Sequence, residues 1–138
     1  MTQYKPFIFI NRLIITKGKH TVYDEFFHKG VNIIRGTNSS GKSTIMEFLF
    51  YGLGGSILEK QWKTVALSCD NTHIEVDINN QVFVLKRQVS TNFKEQMNIF
   101  EGTYDESVNS SAQNWLSFPY ASTTNKESFH DNLLKLLN

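Results

Sequence analysis

Gly30-Val31-Asn32-Ile33-Ile34-Arg35-Gly36-Thr37-Asn38-Ser39-Ser40-Gly41-Lys42-Ser43-Thr44-Ile45-Met46 is the stretch that decides how the rest of the chain is read. Residues 36–43 match G-x-x-x-x-G-K-[ST], the pattern of a phosphate-binding P-loop. Each position has a physical task. Gly36 and Gly41 let the backbone adopt conformations and approach distances that a side chain would obstruct. The N–H groups of Thr37, Asn38, Ser39 and Ser40 then turn inward as an anion-binding nest. A helix beginning near Lys42 adds unsatisfied N–H groups and the positive end of its dipole. Lys42 brings a full charge to the β- and γ-phosphates and is the one candidate catalytic side chain. The Ser43 hydroxyl is placed to hold Mg²⁺, and Thr44 to bond an α-phosphate oxygen. At ordinary residue frequencies the pattern arises by chance in a chain of this length about 0.5% of the time. ATP with Mg²⁺ is therefore the expected ligand.

The flanks have the order that this motif requires. Val31 to Arg35 is a short apolar run, read as a strand buried on both faces. After the motif, Ile45, Phe48, Leu49 and Leu53 recur at helical spacing, and Gly52, Gly54 and Gly55 end the helix. Further upstream, Phe7–Thr16 and His20–Phe27 read as two strands joined by a turn at Lys17-Gly18-Lys19. Downstream, Thr72–Ile78 alternates apolar and polar residues, and Asn79-Asn80 is a hairpin turn signal. Gln81–Ser90 is its partner strand, with Phe83, Leu85 and Arg87 on one face and Val82, Val84 and Lys86 on the other. Asn98–Phe100 extends the meander. Residues 101–125 are rich in Ser, Thr and Asn and read as a long exposed connection. Lys126–Leu137 reads as an amphipathic helix with the stripe Phe129, Leu133, Leu134 and Leu137. The expected class is α/β, one unit over residues 1–138.

Composition sets the outer bounds. The 138 residues are 40% hydrophobic and 13% aromatic, enough for a packed core. Fourteen Lys and Arg against 13 Asp and Glu leave a net charge of +1, which argues against a dedicated basic arm or an acidic tail. A lone cysteine, Cys69, excludes an internal disulfide and a multi-cysteine zinc site. No apolar run approaches the roughly 20 residues of a membrane span, and the polar start is unlike a signal peptide. A soluble, cytoplasmic protein with no membrane partner is expected.

The hairpin followed by Gly-Val-Asn-Ile-Ile-x-Gly-x-Asn at residues 30–38 resembles the N-terminal half of an SMC-type ABC ATPase head. That group includes the chromosome condensation and cohesion ATPases, the double-strand-break repair ATPase, and anti-phage defence ATPases of the Lamassu type. Leu53-Gly54-Gly55 and Phe83-Val84-Leu85-Lys86-Arg87 resemble the repair-type members. Residues 7 to about 90 carry the likeness. Ser39-Ser40 departs from the Asn-Gly-Ser-Gly-Lys-Ser of many members and points to the more distant SMC-like and defence ATPases.

The resemblance implies a P-loop NTPase fold, an N-terminal head lobe with an antiparallel hairpin and meander beside the P-loop strand and helix. It implies a coiled coil followed by a second lobe bearing a Leu-Ser-Gly-Gly-type signature, a Walker B strand and a switch histidine. None of these motifs lies in the 138 residues; Ile74-Glu75-Val76-Asp77-Ile78 alternates and cannot be the buried parallel Walker B strand. The expected partners are a second ATPase head in a homodimer, accessory subunits of an SMC-like complex, and DNA. The expected outcome is ATP hydrolysis that drives head engagement in DNA repair, chromosome organisation or anti-phage defence. Two other functions share the motif: a regulatory module with little turnover, and another P-loop protein such as a transporter subunit or a kinase.

The remaining candidates are weaker. Lys17 and Lys19, with His20, sit where relatives carry a polar segment that reaches the nucleotide, and are weighed evenly against an exposed hairpin turn. Lys60, Lys63, Lys86 and Arg87 are weighed as a DNA-facing patch against ordinary solvated charges, which are favoured. Glu75 and Asp77 are weighed as a cation site against a solvated face, again favoured. Cys69 reads as a buried inert thiol, and His28, His73 and His130 form no metal set.

Overall fold

A computed structural model describes residues 7–33, 42–55, 64–89, 96–119 and 129–136. Its centre is a six-stranded sheet in the order β2-β1-β3-β4-β5-β6, with every neighbouring pair antiparallel. The strands are β1 (Ile8–Lys17), β2 (His20–Phe26), β3 (Asn71–Ile78), β4 (Gln81–Gln88), β5 (Gln96–Glu101) and β6 (Trp115–Pro119). The helices are α1 (Lys42–Gly52), α2 (Thr64–Leu67), α3 (Tyr104–Val108) and α4 (Phe129–Leu136).

Alternation sorts the strands into two faces. Ile74, Val76 and Ile78 of β3, Phe83 and Leu85 of β4, and Met97 and Ile99 of β5 form one apolar face with Leu13 and Ile15 of β1. Phe48 and Tyr51 of α1 and Phe129 of α4 close over it. Full burial of each such side chain contributes about 1.5–3 kcal/mol. β1 is apolar on both sides, and a bulge resolves which residues point inward. The β1–β3 register shifts between Ile10 and Arg12, and Asn11 accepts instead from the N–H of Phe27 at 2.8 Å. The extra residue changes parity, so Ile10, Leu13 and Ile15 share the core face while Arg12 and Ile14 turn to the other.

The hairpin at Asn79-Asn80 forms as expected, because both residues take positive φ (51° and 70°), which suits a two-residue turn between twisted strands. The helical stripe of α1 also packs as read, with Phe48 buried and Ile45, Leu49 and Leu53 against the core. Tyr51 joins it and donates its hydroxyl to the Gln88 carbonyl at 2.5 Å.

Arg87 is neither a DNA-facing nor a solvated charge. It lies on the core face, only 4% exposed. Its guanidinium donates to the Tyr51 and Gly55 carbonyls at 2.8 and 2.6 Å and stacks 3.8 Å from the Tyr51 ring centroid. A cation there complements the negative end of α1, where the Tyr51 carbonyl also accepts from the Gly54 N–H at 3.0 Å.

Three expectations are corrected. Residues 31–33 are not a strand, and Val31 and Ile33 are 79% and 70% exposed. A strand buried on both faces takes its ladder from parallel neighbours, and the described sheet has none. Residues 34–41, with the rest of that run and the glycine loop, lie outside the described residues. The stretch after Glu101 is not merely a connection: it builds α3, a 3-10 turn at Ala112–Asn114 and β6. Finally, α4 packs through Phe129, Leu133 and Leu136, whereas Leu134 is 60% exposed.

Candidate functional site

α1 begins at Lys42, so the backbone N–H groups of Lys42, Ser43 and Thr44 belong to its first turn, where an α-helix has no internal acceptors for them. No acidic residue occupies that turn to neutralise the positive dipole end. Ser43 is exposed. Thr44 is half-buried, and its Oγ1 is enclosed with no hydrogen-bond partner. An enclosed hydroxyl without a partner costs about 1–3 kcal/mol unless something completes it, and a phosphate oxygen at the helix end would. Glu47, which sequence reasoning passed over, follows Ser43 by four positions and so shares its helix face. Its Oε2 is likewise enclosed without a partner. The i, i+4 spacing from Ser43 was the available signal.

The approach to the loop is shaped by Asn32. Its side chain accepts from the His28 N–H at 3.0 Å and donates to the His28 carbonyl at 2.7 Å, closing residues 28–32 into a small ring. Gly30, at φ 97°, makes the reversal that a residue with a Cβ would strain to adopt. Lys29 then lies with its ammonium 4.8 Å from the Phe9 ring centroid. Between this loop, β1 and Met46 and Leu49 of α1 lies a cavity of about 410 Å³.

The Lys17–His20 turn sits elsewhere. Lys17 donates to Ser68 Oγ at 3.3 Å, Gly18 N–H donates to the Asp70 carboxylate, and Lys19 is exposed. Thr72, two residues beyond Asp70, lies against Gly52 together with Ile74. At the opposite end of the sheet, Met46 and Leu49 face Ile8 and Ile10. The C-terminal end of α1 is thus the end that packs toward the Lys17 turn. Lys42, Ser43 and Thr44 are brought together, and Lys17 and Lys19 are not brought to them.

The other candidates resolve individually. Cys69 is buried and desolvation pushes its thiol pKa up, which suits an inert side chain. Glu75 is not a solvated charge, since its Oε1 accepts the first N–H of α3, from Tyr104, at 2.9 Å. Asp77 Oδ1 is enclosed without a partner. No group of three or more potential metal ligands occurs among the described residues. No described helix is long and apolar enough to cross a membrane.

Comparison with curated proteins gave no match. The family model described as an AAA domain matches residues 19–136. That span takes in the glycine loop, α1, the meander and α4, which is most of the chain. Members of that family are usually ATPases, and the match supports nucleotide binding and P-loop ATPase character with dependence on ATP and Mg²⁺ in general. The chain belongs to the AAA domain family.

Proposed function

We propose that the chain binds ATP–Mg²⁺ through Gly36–Thr44 and serves as the N-terminal lobe of an SMC-like ABC ATPase head. The carrying observation is the first turn of α1: Lys42 at its start, no carboxylate, and an enclosed Thr44 hydroxyl awaiting a partner. Lys42 would neutralise the β- and γ-phosphates, Ser43 would contribute its hydroxyl to Mg²⁺, and Thr44 would donate to an α-phosphate oxygen. The backbone of Gly36, Thr37, Asn38, Ser39, Ser40 and Gly41 would supply the nest. The nucleotide supplies, when bound, the phosphoanhydride bond whose hydrolysis switches the head.

A second lobe would contribute the water-polarising carboxylate. A partner head in a homodimer would complete the site, and release of γ-phosphate would separate the heads and move them on DNA with accessory subunits. The setting is cytoplasmic, in repair, chromosome organisation or anti-phage defence. The test is Mg²⁺ dependence of binding to a fluorescent ATP analogue. Mg²⁺ should tighten binding by the wild-type chain, and Ser43→Ala should lose that gain. Equal affinities with and without Mg²⁺ in the wild type would contradict the assignment.

A further inference from the structure

On the face of the sheet opposite α1, four adjacent strands place polar side chains in one cross-strand row. His73 pairs with Lys86, Lys86 with Asn98, and Asn98 with Ser117. At the spacing of neighbouring strands this row spans about 14 Å. α3 and the 3-10 turn border a half-open cavity of about 420 Å³ that these four side chains line together with Tyr104 and Trp115. The volume lies within the range of small-ligand sites.

The cavity is rich in donors and has no carboxylate in its lining. The Lys86 ammonium lies 5.6 Å from the Trp115 ring centroid and has no acceptor among the described residues. Ser117 donates its hydroxyl to Asn98 Oδ1, which leaves the Asn98 amide N–H₂ to face the cavity as a donor. His73 is 9% exposed and its Nδ1 has no hydrogen-bond partner. The acids of α3 and Glu75 of β3 are engaged elsewhere: Asp105 with Arg12, Glu106 in the cap of α3, and Glu75 with the Tyr104 N–H. A buried polar atom without a partner and a cation without a counter-ion among the described residues, at one cavity, have the chemistry of an anion site.

The geometry points to a second, P-loop-independent site in which Lys86, Asn98 and His73 bind a phosphate monoester, with Trp115 flanking its organic part. A single phosphate would fill only part of the cavity, and the Trp115 ring offers a flat apolar wall to a base or sugar. The same chemistry is offered by a free mononucleotide and by the 5′-phosphate of a nucleic-acid strand.

The test uses the full chain carrying Lys42→Ala, so that the P-loop does not compete for phosphate. Adenosine 5′-monophosphate is titrated into it calorimetrically, and adenosine serves as the control. Detectable binding of the monophosphate is expected, weakened at least about tenfold by Lys86→Met or by Asn98→Asp, which puts a carboxylate into the row. Lys86→Arg should retain binding. Asn98→Asp changes no volume, so it decides the matter if Lys86→Met fails to fold. Adenosine binding as tightly as the monophosphate, affinity indifferent to both substitutions, or no binding at all would overturn the site. Competition by a 5′-phosphorylated oligonucleotide, but not by its unphosphorylated form, would assign the ligand to a strand end. Failure of both oligonucleotides to compete would assign it to the free nucleotide. Since Lys42 is already removed, a negative result here leaves the P-loop assignment untouched.

Discussion

The two faces of the sheet are held by different physics. Against α1 and α4 the sheet is apolar, and the buried Arg87 is fully engaged with backbone carbonyls and a ring. Under α3, Ile14, Val84 and Phe100 are buried beside polar groups: Arg12 in a pair with Asp24, His73 with its Nδ1 unpartnered, and Glu75 holding a helix N–H. The first face is insensitive to pH and salt because water exclusion supplies its free energy. The second depends on protonation states and on individual hydrogen bonds. Tight packing therefore belongs to the face that positions the P-loop helix, and adjustable polar groups belong to the face away from it.

Substitutions can break that contrast, and the largest effect belongs to the apolar face. Phe129 is fully buried, so Phe129→Ala should cost about 3–5 kcal/mol, read as a lower urea midpoint, with the same loss at pH 5 and pH 8. On the polar face, desolvation first, then the Lys86 charge, lowers the His73 pKa from 6.5 to about 4, against a smaller opposing pull from the Ile14 backbone. Between those values the unfolded chain holds a proton on this imidazole that the folded chain does not. Stability should therefore fall as pH drops from 6.5 toward 4, by about 3 kcal/mol in all. Chemical denaturation across that window should show the slope in the wild type and lose His73's share of it in His73→Gln.

A smaller effect is expected at Arg12, whose guanidinium grips Asp24 at 2.8 and 2.7 Å and touches Asp105 at 3.3 Å. Its rings, Phe26 and Tyr104, lie 4.5 and 4.9 Å from the guanidinium carbon. Arg12→Met should cost about 2 kcal/mol, since the acids it leaves behind reach water. The hydrogen bond from Arg12 holds Asp24 below the usual carboxylate range. The pair's contribution is therefore present above the unfolded carboxylate pKa and lost as acid protonates Asp24, a dependence that Arg12→Met should remove. The smallest effect is at the cap of α3, where Thr103 and Glu106 bond each other's backbone N–H at 3.3 Å. Thr103→Ala should cost about 1 kcal/mol and raise amide exchange in residues 104–108 without touching α1.

The same division explains what could be read from the chain alone. The core face follows from periodicity, and β3, the Asn79-Asn80 turn, β4 and α1 were legible because their apolar residues repeat at 2.0 or 3.6. The polar face was mostly missed. Its lid lies in a Ser-, Thr- and Asn-rich stretch whose composition suggests a loop, although Thr103-x-x-Glu106 spells a capping box. Arg87 looked like a surface charge because sequence shows the residue type, not the helix end it meets across the core. In α4, a choice between Leu134 and Leu136 needed the direction of the core, which periodicity over so short a helix does not supply. The P-loop end of α1 was legible through Lys42, Ser43 and Thr44, whereas Lys17 and Lys19 were placed by resemblance and lie toward the other end of that helix.

The central claim is that the start of α1 is a nucleotide site on a rigid support. Titration of the full chain with a fluorescent ATP analogue and Mg²⁺, alongside Lys42→Ala, tests it most directly. Affinity should fall by at least about tenfold in Lys42→Ala, because the substitution removes the positive charge beside the phosphates. Equal affinity in the two proteins would contradict the account.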